Sequence, residues 1–123
     1  MPKDPKDLRI LFLRKKDNQY AHRAELFVRN HFPNATIFSG SRKDKLPQEL
    51  LNWSGDMLIS FISSWIYPQK LLESASMAAI NFHPGSPEYP GTGCTNFAIY
   101  NGEKNYGVTC HHMAAGVDSG KII

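Results

Sequence analysis

Asn81 and His83 stand two residues apart in the stretch Ala78-Ala79-Ile80-Asn81-Phe82-His83. On an extended backbone, side chains at i and i+2 project to one face, so an amide and an imidazole sit side by side. Together they offer a pair of donors to a developing oxyanion, plus a group that titrates near neutral pH. Asp118, in the turn Gly116-Val117-Asp118-Ser119-Gly120, is the third member of the set. Its carboxylate can orient the imidazole, hold a water or stabilise an imidazolium. The competing reading is a polar strand end closed by a turn.

Other constellations carry less. Gly116 to Ile122 approaches the spacing of a phosphate-binding loop, but it is one residue short and has Ile where Ser or Thr should hold magnesium. His83, His111, His112 and Asp118 are metal-ligating types. Adjacent His111 and His112 on a strand point to opposite faces, however, and no metal is expected. No G-x-S-x-G elbow is present and the first strand is not followed by G-x-G-x-x-G, so hydrolase and dinucleotide readings lack support. Cys94 and Cys110 read as small packing residues with reduced thiols rather than as nucleophiles or a disulfide.

The elements that must position these groups follow from periodicity and punctuation. Leu8 to Leu13 is a short apolar strand ending at the basic turn Arg14-Lys15-Lys16-Asp17. Residues 19–31 repeat apolar positions at helical spacing, with Asp17 or Asn18 as the cap and Pro33-Asn34 as the stop. Residues 35–38 form a second strand, and Ser39 to Lys45 an exposed loop. Pro47 to Trp53 is a short helix. Asp56 to Ile62 reads as a strand buried on both faces, as in parallel sheets. A helix begins at Pro68 and runs to Ser74, and residues 78–82 are the fourth strand. Three prolines and three glycines between residues 84 and 93 make a rigid loop. Residues 95–100 are helix-like and Gly107 to Met113 is a fifth strand. Alternating β and α units predict an α/β fold with an open, mostly parallel sheet flanked by helices. Ligands of such sheets bind beyond the carboxyl ends of the strands, where Asn81, His83 and Asp118 lie.

The chain has 123 residues, 41% hydrophobic and 20% charged, which fits one globular domain and excludes wholesale disorder. The polar start lacks the core of a signal peptide and no apolar run approaches the ~18 residues of a membrane span, so cytoplasm is the expected compartment. Residues 1–50 carry eleven Lys and Arg against six Asp and Glu, whereas residues 51–123 carry three against five. The basic half reads as a solvated face or as a greeting for a phosphorylated small molecule or RNA. No aromatic and basic platform of the kind RNA readers use is present, which argues against nucleic acid as a partner.

Asn81-x-His83, the Pro/Gly-rich loop, Gly91, Gly107-Val108-Thr109-x-His111-x-Met113 and Asp118-x-Gly120-x-Ile122 jointly resemble the formyltransferase family. Asp56 to Leu72 is similar to the family's preceding strand and proline-led helix. The resemblance implies a Rossmann-like catalytic domain that moves a formyl group from 10-formyltetrahydrofolate to an amine. It implies Asn81, His83 and Asp118 as the catalytic set. In that reading Asn81 and His83 stabilise the oxyanion, and Asp118 tunes His83 and helps move the proton to the leaving nitrogen. Thr109 and His111 match supporting positions. The pteridine is expected beside Phe61, Ile62, Trp65 and Ile66 and the loop containing Ala115, Gly116 and Val117, held largely by backbone groups.

The sequence also departs from the family pattern. The loop after His83 is shorter, and Pro90 stands where the family often has Arg. Arg14-Lys15-Lys16 replaces the small turn common in the tRNA enzymes. These departures turn the expected substrate toward a nucleotide-linked amino sugar, with Lys15 and Lys16 meeting its phosphates. Methionyl-tRNA, a ribonucleotide amine and hydrolysis of the donor to formate remain alternatives. Family domains run on past Asp118, so residues 1–123 are expected to form a single catalytic domain without its usual C-terminal part. A bare sheet edge would then invite a homodimer. A non-catalytic folate- or nucleotide-binding relative is the alternative from another class.

Overall fold

A computed structural model of the chain describes residues 3–83, 109–113 and 121–123. The strands are β1 (Ile10–Lys15), β2 (Thr36–Gly40), β3 (Gly55–Phe61), β4 (Ala75–His83) and β5 (Thr109–His112). They form one sheet in the order β2-β1-β3-β4-β5. The first four are mutually parallel, and β5 runs antiparallel to β4. Two helices, α1 (Gln19–His31) and α2 (Gln69–Glu73), join short 3₁₀ helices at Pro5–Asp7 and Gln48–Asn52. This is the open, mostly parallel α/β sheet that the sequence predicts. Among the described residues no helix is long and apolar enough to cross a membrane.

β1 reads Ile-Leu-Phe-Leu before Arg14, and all four apolar residues are buried because both faces of the sheet are covered. Ile10 and Phe12 face α1, where Val28 meets them with Ile37, Ile59 and Phe61. Leu11 and Leu13 face the other way, onto Leu50, Leu58, Tyr67, Leu71 and Leu72. Helix α1 forms where its spacing predicts. The Asn18 side chain caps it by accepting from the Ala21 N–H at 2.9 Å, and Ala21 and Val28 are the residues it buries.

Strand ends differ from the sequence reading. β1 continues through Arg14 and Lys15, because these pair with Ser39 and Gly40 and so extend β2 as well. The basic turn therefore begins later, and the loop begins at Ser41. Gln48–Asn52 winds as a 3₁₀ helix, with Pro47 just outside it. β4 starts at Ala75, where Gly55 pairs with Ala75 ahead of a register shift. The 3₁₀ turn at Pro5–Asp7 had no clear signal, although Asp4 caps it through the Lys6 N–H. At the far edge, Ile122 bridges antiparallel to His111, and the His112 N–H reaches the Lys121 carbonyl at 2.7 Å.

The amino end of the sheet holds one buried carboxylate. Asp56 accepts from the Arg9 N–H and from the Lys3 ammonium, each at 2.8 Å. Those two groups hold its carboxyl below the usual carboxylate range, the Arg9 N–H contributing most.

Candidate active site

β3, β4 and β5 align Ser60, Asn81 and His111 in one row across the sheet, with His83 opposite Thr109 in the antiparallel pair. Residues in such a row share a face, and so do residues two apart along a strand. Asn81, His83, Thr109 and His111 therefore lie together on the face that carries Leu58, Ser60 and Tyr67. His83, Thr109 and His111 are buried, and Asn81 is half-buried.

Asn81 and His111 touch directly, with Asn81 Nδ2 and His111 Nε2 3.3 Å apart. His111 Nδ1 lies 2.9 Å from the His112 carbonyl. A carbonyl only accepts, so Nδ1 carries the ring proton and Nε2 accepts from the Asn81 amide. The imidazole of His111 thus fixes which way the Asn81 amide turns. His112, its neighbour, is exposed on the opposite face.

The expected pteridine-lining residues divide between two faces. The Phe61 ring packs on the α1 side, 6.2 Å from Phe12 and 5.7 Å from Phe82 between centroids. Trp65 packs on the Asn81 side. Its indole N–H donates to the Asp44 carbonyl at 3.0 Å, and its ring lies so close to Gly40 that any side chain there would collide with it. Ile66 is 71% exposed. Ile62, the residue after β3, has φ 50°. A β-branched residue in the left-handed region is a genuine outlier, and such strain concentrates at functional sites. Its N–H reaches the Phe82 carbonyl of β4 at 3.4 Å.

Asp118, Ala115, Gly116 and Val117 lie outside the described residues, as do the loop 84–93, the helix-like stretch 95–100 and Cys94. Among the described residues no His, Cys, Asp or Glu cluster could hold a metal ion. Of the basic turn, Arg14 points inward and pairs with Glu25 at 3.4 Å, while Lys15 and Lys16 are exposed.

Three residues near the site escaped the sequence reading. Tyr67 donates to Ser63 Oγ at 2.6 Å, and Tyr67 Oη lies 3.2 Å from Ser60 Oγ. The available signal was Ser60 itself, because a hydroxyl inside an apolar strand must find a partner.

Comparison with known proteins points the same way as the geometry. A methionyl-tRNA formyltransferase from Lactobacillus delbrueckii subsp. bulgaricus is 34% identical over 111 residues, covering 89% of this chain and 35% of that protein. Among solved structures, HypX from Aquifex aeolicus, in complex with tetrahydrofolic acid, matches with TM-score 0.73 and 26% identity, over 94% of this chain and 20% of HypX. A Mycobacterium tuberculosis protein assigned as a sugar N-formyltransferase matches with TM-score 0.73 and 26% identity, over 94% of this chain and 52% of its own. The chain spans between 22% and 35% of the length of the methionyl-tRNA formyltransferases it matches. The family model described as Formyl transferase matches residues 12–123. On that match, which takes in β2 to β5 and β1 from Phe12 onward, the chain belongs to the formyl transferase family.

Proposed function

We propose that this chain binds 10-formyltetrahydrofolate and transfers its formyl group to a substrate amine. The observation that carries the reading is the pair Asn81 and His83 on one face at the carboxyl end of β4, with the Asn81 amide turned by His111. The donor supplies an activated formyl carbon. Asn81 and His83 donate to the formyl oxygen as negative charge develops on it, the role of an oxyanion hole. Asp118 tunes His83 and helps carry the proton to the leaving nitrogen. Thr109 and His111 hold the pair in place.

The donor's flat ring meets the segment Ile62 to Ile66 and the residues Ala115, Gly116 and Val117, with Phe61 backing the segment from across the sheet. Two observations support this fit. The backbone from Ile62 to Ile66 is outside any strand or helix, and Ile66 offers exposed apolar surface at the carboxyl edge.

The amine is that of a nucleotide-linked amino sugar, with Lys15 and Lys16 toward its phosphates. Pro90 and the shorter loop after His83 support this choice over the tRNA enzymes. Methionyl-tRNA is the second reading, favoured by the 34% identity to the Lactobacillus enzyme.

Calorimetric titration of the chain with a stable analogue of 10-formyltetrahydrofolate tests the donor, and formyl transfer to each amine tests the acceptor. Saturable micromolar binding, with transfer to a nucleotide-linked amino sugar, is expected. A folded chain that binds no analogue overturns the donor. Transfer to methionyl-tRNA alone replaces the acceptor.

A further inference from the structure

The hydroxyl chain from Ser60 through Tyr67 to Ser63 takes no part in the chemistry above, yet it joins the two pieces that chemistry needs. Ser60 stands beside Asn81 in the sheet. Ser63 belongs to the bent segment after β3. Tyr67 donates its single proton to Ser63, so Ser60 must donate to Tyr67. Ser63 Oγ also accepts the Trp65 N–H at 3.2 Å. Burial pushes the Tyr67 hydroxyl up, so it stays protonated and keeps donating at neutral pH.

The bend itself needs holding. Ile62 is in the left-handed region, which a β-branched residue leaves unless its surroundings over-determine it. Its own N–H contact to Phe82 is long, at 3.4 Å. Among the described residues, further restraints act at two points. Trp65 is anchored at the far side by Gly40 and the Asp44 carbonyl. At the near side, Ser63 is anchored by Tyr67. We propose that Tyr67 is a positioning residue for the formyl donor: its hydroxyl, fixed between Ser60 and Ser63, holds Ile62 to Ile66 in the bent form that the donor meets. This rests on the donor reading given above.

Tyr67→Phe removes the hydroxyl and keeps the buried ring. It should weaken binding of the stable donor analogue roughly fivefold to twentyfold, the range expected for one buried hydrogen-bonded hydroxyl. The KM for donor should rise by a similar factor, while kcat at saturating donor stays within about twofold. Ile62→Asn supplies a residue that tolerates the left-handed region. In that background the same Tyr67→Phe change should cost less than about twofold, because the bend no longer needs the clamp. Without ligand, the ¹⁹F signal of Trp65 in 5-fluorotryptophan-labelled protein should move in Tyr67→Phe and return in the double variant. Should Tyr67→Phe fold poorly, Ser63→Ala carries the same expectations.

Donor affinity unchanged in Tyr67→Phe, or weakened equally in both backgrounds, overturns the positioning role and leaves the donor reading standing. Failure of the unsubstituted chain to bind the analogue overturns both.

Discussion

The two ends of the sheet use polar groups in opposite ways. At the amino end, Asp56 is buried between the Arg9 N–H and the Lys3 ammonium, and the effect is to tie the start of the chain to β3. At the carboxyl end, Asn81, His83, Thr109 and His111 gather on one face, beside a residue bent against its preference. One end joins opposite charges in the service of stability. The other gathers an amide, a hydroxyl and two imidazoles on one face, with the Asn81 amide set against His111. Burial alone does not separate them, since His83 and Asp56 are equally buried at 5% exposure. What each polar atom is bonded to, and whether the backbone beside it is relaxed, does.

That contrast is sharpest for His83→Ala. Loss of one oxyanion donor is expected to cost 10²–10³ in kcat, about 3–4 kcal/mol of barrier, while calorimetric affinity for the donor analogue largely survives. Steady-state transfer assays check this, and a variant that keeps full activity would erase the functional half of the comparison.

Asp56→Asn should do the reverse, lowering the melting temperature and sparing formyl transfer. Its folded-state pKa is depressed, chiefly by the Arg9 N–H and then by Lys3, so the folded state binds the proton less readily than the unfolded chain. The stabilisation is therefore full above the unfolded value of ~3.9 and is lost as pH falls through the lower folded value. Thermal melts followed by circular dichroism should show a deficit at about pH 7 that shrinks below about pH 4. A deficit independent of pH would mean that shape, not charge, is what Asp56 provides.

Asn18→Ala is the smallest effect and the finest discriminator. Asn18 sits at the carboxyl end, but its side chain caps α1. Its loss should cost about 1 kcal/mol of stability in denaturant titrations and leave donor affinity unchanged. A change in affinity would extend the functional region into the turn after β1.

Much of this architecture was legible because local signals agreed with the global fold. Residues 19–31 carried a cap, a period and a proline stop, and α1 occupies that span. The apolar runs of β1 and β3 announced a sheet covered on both faces. Strand ends were not legible, because Arg14 and Lys15 are polar and join β1 only through pairing with Ser39 and Gly40. In the site, the shared face of Asn81 and His83 followed from spacing alone. The contact between Asn81 and His111 did not, since it depends on the antiparallel register of strands separated by residues 84–108. Tyr67 was hidden for a similar reason: its hydroxyl meets Ser60 and Ser63 only through the path the chain takes between β3 and α2.

The antiparallel pairing of β5 with β4 also bears on how the molecule assembles. Among the described strands, every other pairing within β1 to β4 is complete once the chain has reached His83. Until β5 arrives, β4 is a bare edge whose unpaired N–H and C=O groups can recruit a strand from another chain. Closing the connection between β4 and β5 adds only slowly to the entropic cost as its length grows, so the delay is one of search time more than of energy. Asn81 cannot meet His111 until that connection has closed. A chain emerging from synthesis can pair β1 to β4 before Asn81 can meet His111, and in that interval the edge of β4 is open to self-association.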